Sequence, residues 1–310
     1  MSKLAVVKPE PPQTPLRGLA RDWLASARAG GKSPRTLEAY RWPVYNLLLP
    51  ACEREGIDSQ TKIDQRFMDR LNAELLDSDR SPASVRSYLR QINVFLRWCE
   101  REGEGTRATA QLPKVPKKLL QVLTRDEIGR LEEVSRTERD KLVVRTLADT
   151  GLRLGELLGM RVQDVEQDSH GWSLRVMGKG ARERRVVIAP ALGRRLHRYA
   201  DRVRPKDVHT DRLFLTTRRS RKTGVFEPLN KRTTEIMCKS AAVRAGIDPK
   251  RVWPHVFRHS YCTHLLQQNV SPAKVMQLLG HSSMEMVMQV YNQLRPADAM
   301  DDVIRALASN

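Results

Sequence analysis

Hydrophobic residues recur every three to four positions over most of the chain, which is the spacing of amphipathic helices. In the first third of the sequence this pattern predicts four helices, over residues 16–28, from Ser33 to about 47, over 64–77 and from Ser81 to about 96. Two of these helices begin with Ser-Pro, where serine caps the helix and proline fits its first turn. The pattern therefore predicts a small all-helical domain.

The boundaries of that domain follow from where the periodicity is lost. Residues 1–14 contain three prolines and are predicted to be disordered, and the helical domain is assigned to 15–104. Residues 105–121 contain two prolines and three lysines, which predicts an extended basic linker able to lie along a phosphate backbone. A solvated linker without a partner is the alternative.

The second domain, residues 122–310, is predicted to mix helices with a small sheet. Thr124 and Glu127 form a capping box before an apolar run. The predicted elements are helices over 125–134, 138–150 and 153–159, strands over 172–177 and 184–189, a helix from about 191, a short strand over 212–216, and helices from 229 onwards. The expected fold class is mainly α with a small antiparallel β-sheet, as a helical domain plus a mixed α/β domain.

The net charge of the chain indicates the kind of partner that it binds. The 310 residues include 55 Lys and Arg against 36 Asp and Glu, a formal net charge of +19, and nucleic acid is the usual polyanionic partner of such a chain. No apolar stretch approaches the length of a membrane span, and the N-terminus does not read as a secretory signal. The four scattered cysteines suggest reduced thiols, so a cytoplasmic protein without a membrane partner is expected.

Four short patterns and one tyrosine in the second domain carry candidate chemistry. They are Thr150–Leu157, Gly178-Lys179-Gly180, His255–His259 and Leu278–Ser282, followed by Tyr291. Each is weak alone, since such a tyrosine is usually structural and such a glycine-flanked turn is usually only a turn. In this order, the set resembles the tyrosine recombinases, also called the phage integrase family. The resemblance covers nearly the whole chain and is greatest for the simple two-domain, Xer-like members.

The resemblance implies a role for each of these residues. Arg153 and Arg258 would clamp the scissile phosphate, and Tyr291 would be the nucleophile that forms a 3′-phosphotyrosyl intermediate. The remaining expected catalytic residues are Lys179 as general acid, His255 as a proton-transfer group and His281 as a hydrogen-bond donor to the phosphate. Glu156 would orient the clamp, and His259 is interpreted as a structural hydrogen-bonding residue.

These residue types also suit the chemistry on physical grounds. Guanidinium groups stabilise charge on nonbridging phosphate oxygens, and imidazole transfers protons near neutral pH. The alternative interpretation of Arg153 and Glu156 is a surface salt bridge of little energetic weight. Val256 breaks the helix motif of zinc proteases, and Arg258 would repel a cation, so no metal or other cofactor is expected.

The resemblance further implies double-stranded DNA as the partner, with a dimer on each site and a tetramer in the synapse. A C-terminal helix from about residue 295 would dock into a neighbouring protomer, or alternatively pack on its own domain. Whether an accessory protein is required stays open. Possible DNA contacts, each nearly as well explained as a solvated surface charge, are Arg35, Arg41, Arg86, Arg90, Lys114, Lys117, Lys118, Arg218, Arg219, Arg221 and Lys222.

The expected function is site-specific recombination, in which DNA is cut and rejoined through the phosphotyrosyl intermediate. Two alternatives remain at the level of sequence: a catalytically silent DNA-binding protein of the same fold, and a type IB topoisomerase that relaxes DNA without choosing sites. The pattern does not distinguish a compact phage or plasmid integrase from a transposon resolvase or a Xer-like resolver of chromosome dimers.

Overall fold

Two compact units, Met1–Lys117 and Lys118–Asn310, make up the chain in its computed structural model. The structure describes residues 15–103, 105, 107–116, 120–178, 183–280 and 284–294. The predicted disordered N-terminus and the predicted C-terminal helix lie outside these residues. None of the helices in the described part is long and apolar enough to cross a membrane.

The first unit is a helical bundle, and four of its five α-helices begin within one residue of where the sequence predicts; the short helix that begins at Leu49 was not predicted. Its elements are α1 (Pro15–Ala29), α2 (Pro34–Pro43), a π-helical turn (Val44–Leu48), α3 (Leu49–Arg54), a 3₁₀ turn (Gln60–Lys62), α4 (Gln65–Asp77) and α5 (Pro82–Arg101). The Oγ atoms of Ser33 and Ser81 accept hydrogen bonds from the main-chain N–H groups three residues on, both at 3.2 Å, which confirms the two predicted caps. The core is closed by apolar side chains such as Trp23, Phe67 and Phe95.

Part of the segment predicted as a linker packs on the first unit instead. Ala108 and Ala110 are buried in its core. The side-chain amide of Gln65 both donates to and accepts from the main chain of Thr109, at 3.0 and 3.1 Å, and Asn93 does the same for Ala110, at 2.9 and 2.8 Å. Loss of periodicity marks the absence of a helix, but it does not distinguish a free segment from one bound by side-chain amides.

The second unit combines helices with one small sheet. Its elements are α6 (Arg125–Glu133), α7 (Glu138–Thr150), α8 (Leu154–Gly159), β1 (Val165–Asp168), β2 (Gly171–Met177), β3 (Glu183–Ile188), α9 (Pro190–Arg198), α10 (Lys231–Arg244), α11 (Pro254–Gln267), α12 (Pro272–Leu279) and α13 (Met284–Leu294), with 3₁₀ turns at Val162–Asp164 and Pro249–Arg251 and a π-helical turn at Tyr199–Val203. The strands are antiparallel in the order β1-β2-β3. These elements confirm the predicted fold class.

Two details of the sheet differ from the prediction. The strand β1 was not predicted, because its sequence Val-Glu-Gln-Asp is short and mostly polar. The strand predicted over 212–216 is present only as two isolated antiparallel pairings, Arg161 with Arg212 and Leu215 with Pro228. The apolar residues of this segment are buried in the core. A short run of apolar residues gives the same sequence pattern in a core loop as in a buried strand.

Candidate functional site

The turn between α7 and α8 presents Arg153. Gly151 ends α7 in the left-handed conformation, with φ of 60°, and Arg153 stands extended at the N-cap of α8. The main-chain N–H of Arg153 donates to Oε2 of Glu156 at 2.8 Å, and its Nη1 donates to Oε1 at 2.9 Å. The carboxylate of Glu156 therefore holds both the start of the helix and the guanidinium.

A second arginine, Arg184 of β3, binds the same carboxylate from the sheet. Its Nη1 and Nη2 donate to Oε1 and Oε2 of Glu156 at 3.0 and 2.9 Å, which is a bidentate pair. The side chain of Glu156 is only 7% exposed. Burial on its own would raise the pKa of this carboxyl, but the hydrogen bonds from Arg184 and Arg153 outweigh that effect and lower it, so Glu156 is ionised at neutral pH.

Arg258 of α11 is brought to the same place and is almost fully buried. Its Nη1 and Nη2 donate to the main-chain carbonyls of Gly151 and Leu279, each at 2.6 Å. Burial and the charge of Arg153 lower the pKa of this guanidinium to about 10, so it remains a cation at neutral pH. Because Gly151 lies two residues before Arg153, the arrangement places two predicted clamp arginines, from distant parts of the sequence, at one turn.

The imidazole of His255 lies near these arginines, one turn before Arg258 in α11. Partial burial and the positive charges of Arg258, Lys231 and Arg153 lower the pKa of His255. The ring is therefore neutral at pH 7 and is able to accept a proton.

The next predicted residue on α11, His259, is half-buried and is hydrogen-bonded to the main chain of Gln121. Burial lowers the pKa of His259, and this outweighs the opposing effect of that hydrogen bond. Its Nδ1 atom is buried and has no hydrogen-bond partner among the described residues. The contact with Gln121 agrees with a structural function, although the role itself stays a prediction.

Tyr291 lies on α13, a helix that packs against α11 and α12. Val287 and Val290 of α13 join a small apolar cluster with residues of those helices, and the half-buried Tyr291 packs against its edge. The predicted nucleophile is thus carried by the helix layer that also carries Arg258 and His255.

The structure leaves several predicted site residues undescribed. Lys179 follows β2 within the undescribed residues 179–182, and His281 follows Gly280 within 281–283. Lys117 and Lys118 also lie outside the described residues. Their predicted roles stay predictions. Within the described residues, no group of three or more His, Cys, Asp or Glu side chains is arranged to hold a metal ion.

The predicted DNA contacts of the first unit differ in accessibility. Arg35, Arg90 and Lys114 are exposed. Arg41 is exposed as well, with its guanidinium 5.3 Å from the centre of the Tyr45 ring. Arg86 is half-buried and donates to the carbonyl of Pro113 at 2.7 Å, so part of its hydrogen-bonding capacity stabilises the packed segment described above.

The basic loop of the second unit is exposed at Arg218, Arg219 and Arg221. Arg219 pairs with Asp207 at 3.0 Å and lies over the ring of Phe226, 5.1 Å from its centre. This arginine is held within its own loop, whereas the loop as a whole presents positive charge to solvent.

Sequence reasoning missed Arg184 and Lys231. Alternation along β3 places Arg184 on the same face as the buried Val186 and Ile188, and an arginine on an inward face requires an anionic partner. This alternation is visible in the sequence and could have identified Arg184. Nothing near Lys231 in the sequence indicates that it comes close to His255.

Comparison with known proteins gives consistent matches. Residues 121–298 match the family described as the phage integrase family. Tyrosine recombinase XerA of Thermococcus kodakarensis is 31% identical over 266 residues, which cover 85% of this chain and 86% of the relative. Tyrosine recombinase XerD of Staphylococcus aureus is 30% identical over 290 residues, covering 86% of this chain and 94% of the relative.

Two solved structures share the fold. A XerH site-specific recombinase bound to difH substrate in a pre-cleavage complex matches with a TM-score of 0.68 at 18% identity, covering 91% of this chain and 83% of the other. Lambda integrase bound to DNA matches with a TM-score of 0.65 at 19% identity, covering 90% of this chain and 96% of the other. At these identities the likeness establishes the architecture.

Proposed function

The chain belongs to the phage integrase family and is a site-specific tyrosine recombinase, and from this premise we propose that Tyr291 attacks a DNA phosphodiester held by Arg153 and Arg258. The observation that carries the proposal is the convergence of the two guanidiniums at the α7–α8 turn, where Arg258 binds the carbonyl of Gly151. A pair of fixed cations at one place is suited to the charge that develops on the nonbridging oxygens.

Proton transfers complete the proposed cleavage. The Oη atom of Tyr291 bonds to phosphorus as its proton passes to His255, whose lowered pKa supports a neutral, accepting imidazole. The bond from phosphorus to the 5′-oxygen breaks, and Lys179 supplies the proton for the 5′-hydroxyl that leaves. His281 donates a hydrogen bond to the phosphate.

Rejoining is the reverse reaction on a new strand. A 5′-hydroxyl from the second duplex attacks the 3′-phosphotyrosyl bond, and Tyr291 regains its proton. Because the covalent link conserves the energy of the phosphodiester, the cycle requires no external energy source.

We place the reaction on double-stranded DNA, with a dimer on each site and a tetramer in the synapse. The net charge of +19 and the DNA bound in the XerH and lambda integrase structures support this partner. Docking of the C-terminal helix, from about residue 295, into a neighbouring protomer is part of the same proposal. A DNA substrate would place the protein in the cytoplasm.

Covalent trapping tests the proposal. Wild type and Tyr291→Phe are incubated with nicked duplexes that cover the native genetic neighbourhood, and DNA that stays attached after denaturation is sequenced. We expect an adduct with wild type alone, at one preferred site. An adduct that survives in Tyr291→Phe would contradict the assigned nucleophile.

Two further outcomes separate the alternatives. Tight, salt-sensitive binding without an adduct would indicate a silent DNA-binding protein or a missing activator. Relaxation of supercoiled plasmids of any sequence would indicate a topoisomerase.

A further inference from the structure

One charged residue stands on the inward face of the sheet. Along β3 the side chains alternate, and Arg184 shares a face with Val186 and Ile188, which are 3% and 5% exposed. Its neighbour Arg185 points the other way and pairs with Glu166 and Asp168 at 2.9 and 3.0 Å. Two adjacent arginines therefore occupy opposite environments, and only the inward one reaches the candidate site.

The geometry of the Arg184 pair restricts the carboxylate of Glu156. A planar guanidinium that binds both carboxylate oxygens fixes the plane of the carboxylate as well as its position. The same two oxygens accept from the main-chain N–H and the guanidinium of Arg153. The direction in which Arg153 points is therefore set by a carboxylate that the sheet holds in place.

The charge balance adds a second effect. With Arg184 present, the single negative charge of Glu156 is shared between two guanidiniums, and the charge of Arg258 lies close by. The site keeps an excess of positive charge for an anion. Without Arg184, the carboxylate would pair with Arg153 alone and compete with the phosphate for it.

We propose that Arg184 is a positioning residue for phosphate recognition: through the carboxylate of Glu156 it sets the direction and the available charge of Arg153. The inference rests on the proposed function, since it requires that Arg153 contacts the scissile phosphate. A simple mechanical link between β3 and α8 is the competing explanation, and it would affect folding without regard to the charge of the substrate.

The first measurement is the single-turnover rate of phosphotyrosyl formation at saturating protein. For Arg184→Met we expect a loss on the order of 100-fold, the size associated with a small misplacement of a catalytic group. Arg184→Lys should lose less, because an ammonium keeps the charge but cannot hold both oxygens. The matched control, Arg185→Met, should cleave within a few-fold of wild type.

The second measurement changes the substrate. A methyl group replaces one nonbridging oxygen of the scissile phosphate, tested as both stereoisomers, which removes the negative charge that Arg153 would stabilise. For one isomer at least, we expect the ratio of wild-type to Arg184→Met rates to shrink several-fold relative to the normal phosphodiester. Because the same two protein preparations are used on both substrates, a reduced fraction of folded protein changes both ratios equally and cancels when the ratios are compared.

The outcomes separate the inference from its premise. Equal losses on both substrates would assign Arg184 a purely structural role and overturn the inference, as would an Arg184→Met protein that cleaves as fast as Arg185→Met. If wild type itself forms no adduct on either substrate, the proposed function falls, and the inference falls with it.

Discussion

Around Glu156, one buried carboxylate holds two guanidiniums while a third lies close by. Burying such charges is costly unless each is paired and hydrogen-bonded, and here the bonds to Arg153 and Arg184 meet that condition. Arg258 is satisfied differently, by the carbonyls of Gly151 and Leu279. The result is a local surplus of fixed positive charge, which is the electrostatic requirement for binding a phosphodiester.

Nearby positive charge also affects the pKa of His255. Partial burial and three nearby cations lower its pKa from the ordinary value of 6.5, so the neutral ring already predominates below that pH. With subsaturating DNA, the rate of adduct formation should rise with pH to a plateau, and the midpoint of this rise should lie below pH 6.5. His255→Gln should form the adduct more slowly, and its rate should no longer show this rise with pH. A midpoint above pH 6.5 in wild type would contradict a neutral acceptor.

Among the elements, the α7–α8 turn is the most restricted. The φ of Gly151 is 60°, and a Cβ atom there would lie 2.6 Å from Cδ1 of Tyr261 and 2.7 Å from Cδ2 of Leu279. The turn therefore requires glycine for both backbone and packing reasons. It also carries the carbonyl that binds Arg258, so its shape affects the clamp directly.

Gly151→Ala tests this restriction. Left-handed strain together with the displaced side chains should lower the free energy of unfolding by about 2–4 kcal/mol in urea titrations. Adduct formation should slow as well, because Leu279 also binds Arg258. Gly129→Ala in α6, where a Cβ has nothing within 4 Å, is the matched control and should leave stability unchanged or raise it by up to about 1 kcal/mol. Equal stabilities of the two variants would contradict the argument.

The elements also show what the sequence alone can and cannot predict. The Ser-Pro starts predict α2 and α5 because their signal is local, and the alternation in β2 and β3 predicts the hairpin. The short polar strand β1 could not be predicted, because it depends on pairing with β2 rather than on its own residues. The packed segment at Ala108 depends in the same way on amide side chains of distant helices.

At the candidate site, too, some features could be predicted from the sequence and others could not. The residues that carry the motif could be named from their order, but their orientation could not. Arg258 is held by carbonyls, and carbonyls carry no sequence signal. Arg184 could have been found from strand alternation, but its partner Glu156 lies on another element, and only the fold brings the two together.

For the whole molecule, the excess charge of +19 is the dominant property. Exposed arginines occur on both units, at Arg35 and Arg90 in the first and at Arg218 and Arg221 in the second. Phosphate contacts spread over so much of the chain would make DNA affinity depend strongly on counterion release.

Salt titration of DNA binding measures this property. A plot of log affinity against log salt concentration should have a slope of about −5 or steeper, as for six or more phosphate contacts. Arg90→Gln should reduce the slope by about one. Arg54→Gln should leave the slope unchanged, because Arg54 already pairs with Glu74. A slope near zero would contradict a phosphate-dominated interface.

The two carbonyls that hold Arg258 have a consequence for how the second unit opens. They belong to the end of α7 and the end of α12, and the arginine itself belongs to α11. Separating the end of α7 or of α12 would remove an acceptor from a buried cation, and displacing α11 would break both bonds, at a cost of about 1–3 kcal/mol or more for each bond. We therefore expect local fraying to be suppressed at all three segments, and hydrogen exchange of their main-chain amides should report one shared opening rather than three separate ones.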